Sequence, residues 1–253
     1  SSQYVSALQM AAACGSEPFT IELAGADIGA RGYIDLTMSA MRAFGAKVEQ
    51  PTPASWRIEP TGYTATDFHI EPDASAATYL WGAEVLTKGH IDIGTAAGDF
   101  TQPDAKAYDV IAAFPNMPAV IDGSQMQDAI PTIAVLAAFN ETPVRFVGIE
   151  NLRVKECDRI RAVSTGLNNI REGLAKEEGD DLLVFSDPSL AGQSLPAEID
   201  TFADHRIAMS FALAGLKIRD ITILDPACVA KTYPGYWDAL GSLGVDLVRN
   251  DQK

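Results

Sequence analysis

Four segments of the chain share one pattern, in which a short polar cluster precedes about ten residues that carry no charge. Each segment is rich in alanine and longer than an ordinary β-strand, and a helix that is apolar on all sides belongs in a protein interior. The pattern therefore predicts four buried helices, within residues 4–13, 74–83, 129–139 and 207–216.

A second, amphipathic helical segment follows each polar cluster after about 30 residues. These segments begin near Tyr33, Asp104, Asp158 and Tyr236. Short runs rich in β-branched and aromatic residues lie between the paired helices, for example at residues 19–23, 144–147 and 221–224. The predicted unit is a buried helix, a strand, an outer helix and one or two further strands, and its near-constant spacing indicates four internal repeats.

A polar, proline-containing stretch at residues 63–72 separates the first unit from the other three. It follows a strand-like run at residues 56–58, and we predict a domain boundary near residue 70. The second unit is the irregular one, because the next polar cluster follows its outer helix at residues 105–114 after a short interval. Little room remains there for a full hairpin.

Composition and charge exclude several classes of protein. The chain has 34 acidic and 19 basic side chains and a formal net charge of −15, so we expect no nucleic-acid-binding surface. No uninterrupted apolar run is long enough for a membrane span. The three cysteines lack the spacing of a disulfide framework, and the histidines lack the spacing of zinc ligands. These features favour a cytoplasmic protein, and the missing initial Met suggests a partial polypeptide.

Polar residues at the starts of the buried helices are candidates for an anion-binding site. Helix N-termini present free backbone N–H groups and the positive end of the helix dipole, so several of them at one cleft attract anions. Ordinary N-capping is the alternative, and it explains Asp73 equally well. Three successive polar residues exceed what a cap requires, and they occur as Ser1-Ser2-Gln3 and as Asp204-His205-Arg206.

The densest polar cluster lies at residues 151–159, between a predicted strand and an amphipathic helix. A solvated charged loop is one explanation. In the other, a helix that starts early puts Lys155 and Arg159 on one face, with Glu156 near both. Two cations favour the charged form of an acid, unless burial raises its pKa toward the range of a general acid. Further cations that could join this cluster are Arg206 and Lys231.

Seven motifs occur in a fixed order: Ser1-Ser2-Gln3, Tyr33-Ile34-Asp35, Asp73-Ala74-Ser75, Gln127-Asp128-Ala129, residues 151–159, Asp204-His205-Arg206 and residues 230–234. Their order and sequence resemble the 5-enolpyruvylshikimate-3-phosphate synthase family over the whole length of this chain. The most specific motifs are V-K-E-x-D-R, D-H-R-x-A-M and K-T-x-P. The first part of the family's chain has no counterpart, so the sequence resembles the C-terminal portion of such an enzyme.

The resemblance implies an α/β fold of two inside-out lobes, built from repeated βαβαββ units with helices buried in the middle and sheets outside. Residues 1–70 would form the last unit of an incomplete first lobe, and residues 71–253 most of the second lobe. The lobes of the family close on substrates held between them. The missing N-terminal part of the same enzyme is therefore an expected partner of this chain.

The family transfers the enolpyruvyl group of phosphoenolpyruvate to the 5-hydroxyl of shikimate 3-phosphate and releases phosphate, and we expect no cofactor or metal. By resemblance, shikimate 3-phosphate would contact Ser1, Ser2, Gln3, Tyr33, Asp128, Asn151 and Lys155. Phosphoenolpyruvate would contact Gln3, Arg159, His205, Arg206 and Lys231. Asp128 would take the proton from the attacking hydroxyl, and Glu156 would protonate the methylene carbon.

Two departures from the family pattern stand out. Ala30 occupies a place where the family usually has a phosphate-binding serine, and the neighbouring Arg31 could compensate for it. The family's N-terminal lysine and arginine residues have no counterpart in this chain. Two alternatives stay open: a related transferase that acts on a UDP-sugar, which the D-H-R and V-K-E-C-D-R motifs fit less well, and a noncatalytic anion-binding fragment that needs a complementary N-terminal part.

Overall fold

Helices and strands alternate along the chain in an order close to the one that its hydrophobic pattern predicts. The computed structural model describes residues 2–25 and 28–249. The helices of these residues are α1 (Ser2–Ala12), α2 (Gly32–Ala43), α3 (Ala74–Thr87), α4 (Ala107–Ala112), α5 (Ile130–Ala137), α6 (Arg159–Ile170), α7 (His205–Gly215) and α8 (Tyr236–Ser242). The strands are β1 (Phe19–Glu22), β2 (Val48–Thr52), β3 (Ser55–Ile58), β4 (Val120–Asp122), β5 (Val144–Val147), β6 (Ala175–Glu178), β7 (Asp181–Val184), β8 (Ser194–Ile199) and β9 (Arg219–Ile223).

The first unit consists of α1, β1, α2, β2 and β3. Its strands form an antiparallel sheet in the order β1-β3-β2. Apolar side chains of both helices and of β3 make its core, including Val5, Ile34, Met38, Trp56 and Ile58. This is the predicted unit in full, with the hairpin β2-β3 at its end.

Helix α1 differs from its prediction as a helix buried on all sides. One face is buried through Val5, Ser6 and Gln9, where α2, β1 and β3 pack against it. The other face exposes Tyr4 and Leu8, at 74% and 50%. The uncharged sequence of α1 is suited to burial on both sides, but the described residues supply partners for one side only.

Helices α3, α5 and α7 pack against one another and form the centre of the remaining chain. All residues of α5 are buried, as the pattern predicts. Polar side chains inside this three-helix core pair with one another: the Thr132 hydroxyl lies 3.4 Å from that of Thr78 and 3.1 Å from that of Ser210. These contacts satisfy groups whose burial would otherwise be costly.

Helix α6 lies outside this core and is amphipathic, as predicted. Its buried face includes Ile160, Val163 and Leu167. Gly166 lets α6 approach α7 closely, because a Cβ at this position would lie 2.4 Å from the ring of Phe211. A larger residue at position 166 would force the two helices apart.

The later units vary more than the sequence pattern suggests. The third unit is complete, with α5, β5, α6 and the hairpin β6-β7, in a four-stranded sheet of order β4-β5-β7-β6. The second has only the three-residue β4 after α4, which confirms the expected lack of a hairpin, but it also lacks the predicted strand between α3 and α4. In that segment the backbone N–H of Ile91 bonds to the Glu84 side chain, 2.6 Å away, and not to a strand. The described part of the fourth unit ends without a strand after α8.

The segment at residues 59–73 contains no helix or strand. The core of the first unit lies before it, and the core around α3, α5 and α7 after it. A domain boundary near residue 70 stays a prediction. In the described part of the chain, no helix is long and apolar enough to cross a membrane.

Candidate active site

The part of the chain at residues 74–249 is called the second region below. The candidate site lies where three of its segments meet. Asp128 sits in a 3-10 turn that leads into α5, Arg159 is the first residue of α6, and His205 and Arg206 begin α7. The loop at residues 155–158 runs between them. Polar helix starts therefore converge, as expected for an anion-binding cleft.

Asp128 is the centre of this arrangement. Its carboxylate accepts hydrogen bonds from Arg159 Nη1 and Arg206 Nη2, both at 2.9 Å, and Lys155 Nζ lies 3.7 Å away. Burial alone would raise the pKa of Asp128, but the charges of Arg206, Arg159 and Lys155 outweigh it and lower the pKa. Asp128 is thus a carboxylate at neutral pH, in the state required of a base.

Arg159 joins three carboxylates. Its side chain is 1% exposed and bonds to Asp204 at 2.7 Å, to Asp128 at 2.9 Å and to Glu156 at 2.6 Å. Asp204, which is fully buried, also caps α7 by accepting the N–H of Arg206 at 2.9 Å. Asp204 lies within a predicted polar cluster but is not a predicted site residue; its role is to fix the Arg159 guanidinium.

Glu156 bridges two cations. Its carboxylate lies 2.6 Å from Arg159 and 2.5 Å from Lys231 Nζ. Burial would raise the pKa of Glu156, but the hydrogen bond from Lys231 and the charge of Arg159 lower it to about 2. Of the two states that the sequence leaves open for this acid, these neighbours favour the charged one.

The outer helix starts next to Asp158, as the spacing predicts, and the alternative of an early start at residue 155 does not occur. α6 begins at Arg159, because the Asp158 side chain caps it by accepting the N–H of Arg161 at 3.1 Å. Lys155 and Glu156 lie in the preceding loop and not on the helix. From that loop Glu156 bonds to Arg159, and Lys155 lies near Asp128.

A cavity of about 250 Å³ opens beside these groups, and its lining comprises Gln3, Asp128, Val154, Lys155, Glu156 and Arg159. Gln3 reaches it from α1, so the first unit contributes to the same cavity. Ser2 is buried at the start of α1, and Ser1 lies outside the described residues.

His205 lies deeper than a ligand-binding side chain. It is 1% exposed, its Nδ1 is 3.6 Å from Asp204, and within the described structure neither ring nitrogen has a hydrogen-bond partner. Burial and the neighbouring Arg206 charge lower the pKa of His205, so the ring is neutral. It is not among the lining residues of the cavity.

The loop at residues 28–31 leads into α2, whose second residue is Tyr33, and this loop meets the second region. The N–H of Ala30 donates to the Ser124 carbonyl at 2.9 Å, and a Cβ on Gly29 would lie 2.6 Å from the Asn151 amide. The Tyr33 hydroxyl donates to the carboxylate of Asp104. Asp104 is not a predicted site residue, since its only sequence signal is its place at the start of an outer helix.

Arg31 does not turn toward the cavity. Its guanidinium donates to the Pro53 carbonyl and lies 6.0 Å over the ring of Trp56, within the first unit. The expectation that it compensates for Ala30 is therefore not supported by its position. Ala30 itself has a positive φ of 57°, which bends the loop toward the second region.

Fold and site together define an α/β protein of repeated units, with a small cleft of paired cations and carboxylates where polar helix starts meet. Residues 1–240 match the family model described as EPSP synthase (3-phosphoshikimate 1-carboxyvinyltransferase), and the chain belongs to this family. It is 77% identical over 251 residues to the 3-phosphoshikimate 1-carboxyvinyltransferase of Rhizobium etli (strain CIAT 652), covering 99% of this chain and 60% of that protein. Identity to the enzyme of the same name from Pseudomonas syringae pv. syringae (strain B728a) is 70% over 249 residues, covering 98% and 60%.

Solved structures show the same fold. EPSP synthase from Acinetobacter baumannii superposes with a TM-score of 0.72 at 20% identity, over 96% of this chain and 60% of that one. The enolpyruvyl transferase NikO from Streptomyces tendae gives a TM-score of 0.64 at 17% identity, over 93% and 57%. The chain thus has the enolpyruvyl transferase fold and spans about 60% of the length of the curated relatives it matches.

Proposed function

We propose that the enzyme containing this chain transfers the enolpyruvyl group of phosphoenolpyruvate to the 5-hydroxyl of shikimate 3-phosphate and releases phosphate. The observation that carries this proposal is the pair of acids on one guanidinium: Asp128 and Glu156 both bond to Arg159 at the edge of one cavity. Addition of a hydroxyl across a C=C bond needs a base for the hydroxyl and an acid for the carbon. The family's reaction fits this pair.

Asp128 is the base in this proposal. Three cations keep it ionised, and it lines the cavity beside Lys155. The hydroxyl of shikimate 3-phosphate would lie against the carboxylate, and the phosphate and carboxylate of that substrate would be held by Ser1, Ser2, Gln3, Tyr33, Asn151 and Lys155. Gln3, Tyr33 and Asn151 border the junction of the first unit with the second region, which supports a substrate site between them.

Glu156 is the acid, and it has to gain a proton before it acts. The Lys231 and Arg159 side chains hold it ionised. Phosphoenolpyruvate brings a phosphate and a carboxylate that compete for the same cations. When Lys231 turns to the substrate phosphate, Glu156 loses its closest positive neighbour, and its pKa rises toward that of a usable acid.

Phosphoenolpyruvate would bind to Gln3, Arg159, Arg206 and Lys231, with His205 behind them. Arg159 and Arg206 already bond to carboxylates, so they can give the substrate only their remaining N–H groups. We propose that further cations come from the N-terminal part of the enzyme, in the share of its relatives' length that this chain does not match. The reaction would take place in the cytoplasm as a step of the shikimate pathway, without a cofactor.

The test is phosphate release from phosphoenolpyruvate in the presence of shikimate 3-phosphate. We expect turnover when the N-terminal segment of the Rhizobium etli relative is joined to this chain. Turnover by the joined protein but not by the chain alone would support a shared active site. A folded joined protein with no phosphate release, or one that accepts only a UDP-sugar, would overturn the proposal.

Glu156→Gln in the joined protein tests the acid. We expect turnover to fall by about 10²–10⁴-fold with little change in substrate binding, because the amide cannot deliver a proton. Glu178→Gln is the matched control, since Glu178 pairs with Arg145 and Lys176 on the outer sheet and should leave turnover unchanged. Near-normal rates for Glu156→Gln would refute its role as the proton donor.

A further inference from the structure

Asp104 is a buried acid that the proposed reaction does not use. It lies in the 3-10 turn Pro103–Lys106, ahead of α4, and it is 1% exposed. One carboxyl oxygen accepts the Tyr33 hydroxyl, and the other has no hydrogen-bond partner within the described structure. A buried carboxyl with an unpaired oxygen is costly when charged and much less so when protonated.

The charges around Asp104 are close to balanced. Asp128 faces it from the turn before α5, Arg206 from α7 and Lys155 from the loop before α6. The charged groups of α3, which also packs here, are engaged elsewhere: the Asp73 cap accepts the N–H of Ser75, and Glu84 bonds to Ile91.

The burial of Asp104 and the charges around it determine its protonation state. Burial and the charge of Asp128 raise its pKa, while the charges of Arg206 and Lys155 oppose them. The result is a pKa raised to about 7, so both protonation states are within reach near neutral pH.

The protonation state of Asp104 determines what Tyr33 can do. A phenol has one O–H to donate, and an ionised carboxylate can only accept. When Asp104 is ionised, it takes the Tyr33 hydrogen, and the phenol oxygen then offers only lone pairs to any other group. When Asp104 is protonated, it can donate to the phenol oxygen, and the Tyr33 hydrogen is free to point at a second acceptor.

The backbone around Tyr33 is held in place. The N–H of Ala30 donates to Ser124 at 2.9 Å, and the N–H of Gly32 lies 3.4 Å from the Gln125 side chain. Because these bonds join the loop at residues 28–31 and the start of α2 to the second region, the phenol oxygen can stay where it is while its hydrogen changes direction. The Tyr33 and Asp104 pair thus spans the junction at which we place the substrate.

We propose that Asp104 is a positioning residue that must be protonated before Tyr33 can donate its hydroxyl to the substrate carboxylate, so that binding of shikimate 3-phosphate takes up one proton at this pair. The inference rests on the proposed function, which assigns that carboxylate to Tyr33. Without the proton, the phenol oxygen and the substrate carboxylate would face each other as two acceptors.

The test is calorimetric titration of shikimate 3-phosphate into the joined protein, in pairs of buffers that differ in ionisation enthalpy. At pH 8.5 the unaltered protein should take up about one proton more than Asp104→Asn, whose amide can donate to Tyr33 at any pH. For a group that titrates near pH 7, Asp104→Asn should also bind about 30-fold more tightly than the unaltered protein at pH 8.5, and about equally at pH 6.

Tyr33→Phe is the second variant, because it removes the hydroxyl while Asp104 remains. It should bind shikimate 3-phosphate more weakly at pH 6 and lose the additional proton uptake at pH 8.5. Equal proton uptake by the unaltered protein and Asp104→Asn, or weaker binding by Asp104→Asn at every pH, would overturn the inference even with normal phosphate release. Failure of the unaltered joined protein to bind shikimate 3-phosphate would instead contradict the proposed function, and the inference with it.

Discussion

Helices α1 and α5 have the same sequence pattern but lie in different surroundings. Both follow a polar cluster and continue without a charge, yet α5 is buried along its whole length, while α1 exposes Tyr4 and Leu8. The difference lies in their neighbours: α3, α6 and α7 pack against α5, whereas α2 and the first sheet cover one face of α1. An apolar pattern shows what a helix is suited to bury, and the rest of the protein decides whether it is buried.

The polar groups of the two regions differ in the same way. In the second region the buried Arg159 bonds to three carboxylates, of which Asp204 is fully buried. At the end of the first unit, Arg57 pairs with Glu59 at the surface, where both side chains are more than a third exposed. Buried pairs hold their geometry because breaking them leaves an uncompensated charge, while surface pairs contribute little.

The largest expected effect is the difference in stability that is lost when Arg159 or Arg57 is replaced by alanine. Arg159→Ala should lower the free energy of unfolding by about 3–5 kcal/mol, because it leaves Asp204 buried without its partner. Arg57→Ala, the matched control, should cost about 0–1 kcal/mol. Urea denaturation of the chain measures both values. Equal costs would show that the buried network does not stabilise the second region.

The next effect compares the two helices directly. Ile133→Ala in α5 should cost about 2–5 kcal/mol, since Ile133 is fully buried. Leu8→Ala in α1 should change the stability of this chain by no more than about 0.5 kcal/mol, since Leu8 is half exposed.

The same two substitutions in the joined protein sharpen this comparison. Leu8→Ala should become more costly there, if the N-terminal segment covers the exposed face of α1, while the cost of Ile133→Ala should not change. Denaturation of both joined variants measures this. A cost for Leu8→Ala that stays near zero would show that α1 remains open in the larger protein.

The smallest expected effect is on the stability of the chain at acidic pH. The folded pKa of Glu156 is lowered to about 2, below the ordinary value near 4.3, so its ionised form stabilises the fold above about pH 4.3. This stabilisation is lost as the pH falls toward 2. Glu156→Gln should therefore be less stable than the unaltered chain at pH 6, and the difference should shrink toward pH 2.

Glu22→Gln on the exposed strand β1 is the control, since it removes the same charge from the first unit. The prediction is tested by measuring the unfolding free energies of the unaltered chain and both variants between pH 2 and pH 6. A difference between Glu156→Gln and the unaltered chain that persists at pH 2 would show that the ion pairs of Glu156 are not its source.

Predictions from the sequence were most reliable where the pattern that supports them lies within a single segment of the chain. The apolar periodicity predicted α3, α5, α6 and α7, and the sequence motifs identified the family to which the chain belongs. Predictions failed where the signal depended on a neighbour. The second unit lacks its predicted strand, and in that segment the N–H of Ile91 bonds to the distant Glu84 side chain.

The candidate site shows the same division. Asp128, Glu156, Arg159 and Arg206 are predicted from their motifs, and the structure brings them together. Asp204 and Asp104 are not predicted as site residues. Asp104 meets Tyr33 across 71 positions of the chain, and a contact between such distant residues leaves no local pattern.

The sequence by itself determined which segments are helices, which residues carry charge, and the family of the chain, because propensity, periodicity and motifs are properties of short stretches. Only the tertiary structure decided the ionisation of the acids and the burial of α1. Glu156 and Asp104 are both carboxylic acids, yet one has its pKa lowered to about 2 and the other raised to about 7. The difference arises because Lys231 and Arg159 bond to the first, while burial and Asp128 act on the second, and those neighbours are assembled by folding.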